Sequence, residues 1–187
     1  MSTQNNPVSS SVVAHHEAGH AVAGIVLGVE FTEVRIVPDK DGKIGVPLKT
    51  MPWRGPRPSS NPGEFTNEEW AELSQSDEKW AAWEKGDHEK YTIFCFAGKA
   101  AQLEYAGAVN DEDAKADYSF VEYWLPNFQQ RKAALEQEAR KLVRNHWPAV
   151  QAVAAELLER PALVLAEVEE IFRRTIPNVQ LRKSTGA

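Results

Sequence analysis

The stretch VVAHHEAGHAVAGIVLG, residues 12–28, reads as an apolar helix, yet it carries His15, His16, Glu17 and His20. Ser10 or Ser11 is placed to cap such a helix, which would run to about Leu27 and stop at Gly28. Two histidines and a glutamate on a buried helix are costly unless something satisfies them. Residues 16–20 have the spacing HExxH. On a helix, residues four apart lie one turn apart on the same face, so His16 and His20 can aim their rings at one metal ion. Zinc is the usual occupant of such a pair. Glu17 lies about 100° around the axis from His16, beside the metal rather than on it. There it can take a proton from an activated water and pass it to a leaving amine. Gly19 would allow another backbone or helix to approach closely. His15 points elsewhere and reads as structural.

HExxH has only three fixed positions and also arises by chance, so a third ligand is the stricter test. Catalytic zinc usually takes three protein ligands and keeps one position open. No further histidine follows nearby, which leaves a distant carboxylate. The acidic connector NDEDAKAD, residues 110–117, offers Asp111, Glu112, Asp113 and Asp117. Spacing alone does not choose among them.

The rest of the chain is expected to be mostly helical with one small sheet, an α+β fold. EVRIVP (33–38) and KIGVPL (43–48) are strand-like, and DKDG between them suggests a hairpin. Pro47 favours an edge position for the second strand. Residues 50–63 form a Pro/Gly/Ser-rich loop, and TNEE (66–69) opens a helix to about Glu84. Further helices are expected from Asp87 to Tyr105, from Asp117 to Pro126 and from Asn127 to Asn145. Two more would run from Pro148 to Glu159 and from Pro161 to Arg174, with proline near the first position of both. The organisation would be a disordered lead (1–10), one domain (11–175) with an insertion (50–86), and a loose tail (176–187).

The 187 residues suit a single domain, and the formal net charge of −6 favours neither nucleic acid nor an anionic membrane. The polar start MSTQNNPVSSS lacks the pattern of a signal peptide, and Ala21–Gly28 is too short an apolar run to span a bilayer. Cys95 stands alone, which excludes a disulfide framework and reads as a buried small apolar residue. The expectation is a soluble cytoplasmic protein. His88 and His146 read as surface or capping residues, and Trp80 and Trp83 as a satellite hydrophobic cluster or a lid.

The segment VVAHHEAGHAVAGIVLGVEFTEVRIVP resembles the start of the peptidase domain of the FtsH-type ATP-dependent zinc metalloproteases. That family reads like VAYHEAGHA, then a strand ending TIIPRG. KIGVPL resembles the next strand, FAGKAAQLEYAG (96–107) resembles the family's GGRAAEELxFG helix, and residues 136–172 resemble its final helices. The resemblance covers most of residues 12–174 in the same order. It implies a zincin-like metallopeptidase domain with a C-terminal helical bundle and a bound Zn2+. It also implies that the third ligand is an aspartate opening a helix after the FG element, a place taken here by Asp117. Carried over, His16, His20 and Asp117 would bind zinc and Glu17 would be the catalytic base. An edge strand near the metal, here Ile44, Gly45 and Val46, would pair with the backbone of a peptide or unfolded protein substrate.

The sequence also departs from the family. NDEDAKAD replaces TTGASND, Gln102 stands where glutamate is usual, and the insertion carries Trp53, Trp70, Trp80 and Trp83. Transmembrane segments are absent from it, and no GxxxxGK[ST] occurs. Acting alone, such a chain would cut peptides or already unfolded segments without ATP; a homo-oligomer or an unfoldase partner stays open. The rival class is a relative that keeps the metal site as a binding or regulatory module without turnover.

Overall fold

The computed structural model describes residues 9–38, 40, 44–46, 87–109, 117, 121 and 128–177. The fold is mostly helical, with one small antiparallel sheet. Helix α1 (Ser10–Leu27) is the central element, buried almost all round between Ala14 and Gly24. It packs most extensively against α2 (Asp87–Ala106) and α4 (Trp147–Glu159). Its cap is Ser9, whose hydroxyl accepts the Val12 N–H at 3.4 Å, so the helix starts slightly earlier than the sequence suggests. Gly28 closes it in the left-handed region at φ 71°, where glycine has no Cβ penalty. Val29 N–H then returns to Gly24 O at 2.9 Å.

Small residues let α1 and α2 cross closely. A Cβ at Gly19 would meet Ala101 Cβ and Ala97 O, both at 2.6 Å, so the expected close approach is made by α2. Helix α3 (Phe128–Asn145) packs against α2 and buries one stripe: Phe128, Leu135, Ala139 and Val143. The half-buried pair Lys99–Glu136, 3.3 Å apart, joins α2 to α3. Helix α4 contributes Val150, Val153 and Leu157 to the core, and α5 (Leu165–Thr175) contributes Val168, Ile171 and Phe172. Asp117 and Val121 are both helical, as expected for that stretch, and Val121 is fully buried.

The sheet differs from the expected hairpin. Strand β1 (Glu33–Arg35) pairs with β2 (Ala162–Val164), with Val34 opposite Leu163. Residues 162–164 were expected to be helical after Pro161. Instead the Pro161 carbonyl accepts the Ile36 N–H at 2.9 Å, and Leu163 alone turns into the core between exposed Ala162 and Val164. This period-2 burial and the ladder to β1 override the helix-start preference of proline. The last helix starts at Leu165, where the Glu167 carboxylate accepts the Val164 N–H at 2.9 Å. The segment predicted to form the hairpin's second strand does meet β1, but among the described residues it forms a single antiparallel bridge, Arg35 to Gly45. Pro47, the loop and helix expected over 50–84, Trp53, Trp70, Trp80 and Trp83 lie outside the described residues, as do Asp111, Glu112 and Asp113.

Candidate metal centre

The spacing of α1 places His16 and His20 one turn apart, and their Nε2 atoms lie 3.2 Å from each other. Asp117, distant in sequence, brings Oδ2 to 3.0 Å from His16 Nε2 and 3.5 Å from His20 Nε2. Donors held about 2.0–2.1 Å from a tetrahedral zinc lie about 3.3 Å from one another. The three separations match that spacing, so one point can lie at ligand distance from all three atoms. Among the described residues, His16, His20 and Asp117 are the group able to hold a metal ion.

The hydrogen bonding supports the same fit. His20 Nδ1 lies 2.8 Å from the Phe94 carbonyl, which can only accept, so that nitrogen carries the proton. His16 Nδ1 lies 3.2 Å from Gln102 Oε1 and donates to it. In the neutral rings both Nε2 atoms are therefore bare lone pairs. They converge on Asp117 Oδ2, a buried oxygen. Three acceptors facing one another call for a cation.

Helix α2 supplies the rest of the pocket through one face. Phe94, Gly98 and Gln102 are four residues apart, hence one above another. Phe94 holds His20, and Gln102 holds His16. Gly98 keeps the space between them clear: a Cβ there would lie 2.3 Å from His20 Nε2 and 2.6 Å from His16 Nε2. None of these three stands out in the sequence as part of the site; the one signal is their regular four-residue spacing.

Charges follow from this packing. For His20, burial opposes protonation, but Asp117, by charge and hydrogen bond, Glu17 and the Phe94 carbonyl outweigh it and lift its pKa to about 9. Burial raises the pKa of Asp117, yet the two histidines beside it win and hold it well below the usual carboxylate range. Without a metal, a proton on His20 is thus the cation the site demands.

Glu17 is buried at the same place. Its pKa is raised by burial first; His20 and His16 pull it down, and Asp117 pushes it up. Its carboxylate faces the edge segment, since a Cβ on Gly45 would sit 3.6 Å from Glu17 Oε2. Gly45 has φ 125°, a conformation that side chains disfavour, and spends both its N–H and its C=O on Arg35, at 3.1 and 3.0 Å. No described segment is seen to pair with the backbone of Ile44 or Val46. Ile44 is exposed.

The remaining histidines divide. His15 is buried, donates to Ser11 O at 2.7 Å and stacks on Tyr105 at 3.7 Å, a structural role as expected. His146 sits at the junction of α3 and α4, donating to Leu142 O at 2.9 Å. His88 is buried rather than on the surface. Cys95 is buried too, as expected. No helix among the described residues is long and apolar enough to cross a membrane. No protein-family model and no curated protein matches the chain.

Proposed function

We propose that the chain is a zinc-dependent metallopeptidase domain of the zincin type, related to the peptidase domain of the FtsH-type proteases. His16, His20 and Asp117 hold the metal, and Glu17 is the general base. The observation that carries this reading is the convergence of three donor atoms, His16 Nε2, His20 Nε2 and Asp117 Oδ2, at zinc-ligand spacing, with the buried Glu17 carboxylate beside them. Zinc bound there supplies a Lewis acid that polarises a carbonyl and acidifies a water.

The chain's own residues do the rest. A peptide strand added beside Ile44–Val46 would pair with their backbone and bring its carbonyl near Glu17, which Gly45 approaches. Glu17 takes one proton from the attacking water as the new C–O bond forms. It then returns that proton to the nitrogen as the C–N bond breaks. Burial raises the Glu17 pKa, which makes it a stronger proton acceptor than an exposed carboxylate. The substrate class is peptides or unfolded segments, and no ATP-driven step is involved.

Wild type and Glu17→Gln are incubated with an unfolded protein, with and without a strong chelator. Cleavage by the wild type alone, abolished by chelation and reduced at least about 100-fold by Glu17→Gln with zinc retained, is the expected result. Zinc binding by the wild type with no cleavage of any unfolded protein would replace this reading with a non-catalytic zinc module.

A further inference from the structure

We propose that Gln102 is a positioning residue for the metal, acting through His16, and that its neutral amide sets how tightly the metal is held. This rests on the zinc-site reading and adds to it a control over affinity. The Gln102 side chain is buried, on the face of α2 that meets α1. Its Oε1 accepts the His16 Nδ1 proton at 3.2 Å, which fixes the ring orientation and leaves the Nε2 lone pair aimed at Asp117 and His20. His20 is fixed differently, by the main-chain carbonyl of Phe94, which no substitution removes. His16 is therefore the ligand whose tautomer depends on a side chain.

Partners in this position raise the donor strength of a ligating imidazole, and a carboxylate does so more than a neutral amide. Gln102 orients His16 without adding a negative charge to a pocket that already holds Asp117 and Glu17. Adding no further negative charge to Asp117 and Glu17 favours folding of the metal-free protein, at the cost of a weaker hold on the ion.

The test is zinc affinity by competition with a chromophoric chelator, for wild type, Gln102→Leu and Gln102→Glu. Melting temperatures of the metal-free forms are measured in parallel. Gln102→Leu is expected to weaken zinc binding about 10–100-fold. Gln102→Glu is expected to bind at least as tightly as wild type while its metal-free form melts lower. A loss of less than tenfold in Gln102→Leu would overturn the proposal, as would equal weakening in both variants, which marks a packing role. The absorption spectrum of the cobalt(II)-loaded proteins gives a second readout, expected to change in Gln102→Leu and to be restored in Gln102→Glu. Absence of zinc binding in the wild type would instead overturn the metal-site reading itself.

Discussion

Gly98 faces His20 so closely that a Cβ on it would lie 2.3 Å from His20 Nε2. An ion about 2.0–2.1 Å from the two Nε2 atoms and a methyl group at that place would compete for one space. Gly98→Ala is therefore expected to lower zinc affinity by at least about 100-fold, more than loss of an outer hydrogen bond does. Alanine favours a helix interior by about 1 kcal/mol over glycine, so α2 itself should persist. Zinc titration together with circular dichroism checks this. A helical Gly98→Ala protein with wild-type affinity would show that the gap at Gly98 does not serve the metal.

A substitution at Gly45 tests the proposed substrate edge apart from metal binding. At φ 125° a branched side chain is strained by about 1–3 kcal/mol, and it would also crowd Glu17. Gly45→Val should reduce kcat/KM on an unfolded protein by about tenfold or more with zinc content unchanged. Steady-state kinetics and metal analysis on the same preparation test it. Parallel loss of zinc would mean that the edge segment supports the metal pocket.

Metal removal should be visible as stability. A metal ion held by His16, His20 and Asp117 would bind only their folded arrangement, which the unfolded chain lacks. At 100 times the dissociation constant, binding adds about 2.7 kcal/mol. For a chain of this length that corresponds to about 5–10 °C in Tm. Calorimetry with and without chelator measures the shift, and an unchanged Tm would argue against a bound ion.

Cys95 should be inert in the native protein. Burial, with a smaller push from Asp117, raises its pKa from 9.0 to about 12. A raised thiol pKa depletes the thiolate at every pH below it, so reaction at pH 8 should be about 1,000-fold slower than in the unfolded chain. Rates with a thiol-reactive disulfide in buffer and in denaturant give the comparison. Fast native labelling would mean that the pocket beside α2 opens readily.

What the sequence made legible depended on range. His16 and His20 are set on one face by local helical spacing, with Glu17 beside them, so this arrangement was readable from five residues. Asp117 is distant from them in sequence, and only the family resemblance ranked it above Asp111 and Asp113. Phe94, Gly98 and Gln102 repeat every four residues, but nothing local says which face of α2 meets α1. The strand at Ala162–Val164 was hidden for the same reason. Pro161 and an apolar run suit a helix start, and only the presence of β1 makes the extended form the better one. The cap at Ser9 instead of Ser10 or Ser11 is a local ambiguity among three adjacent serines, each able to cap.

The most direct test of the central assignment is zinc stoichiometry by native mass spectrometry for wild type, His16→Ala, Asp117→Ala and Glu17→Gln. One zinc per chain in the wild type and in Glu17→Gln, with loss in the other two, is the predicted result. A wild type that takes up no zinc, or an Asp117→Ala protein that holds it as firmly as the wild type, would contradict the assignment.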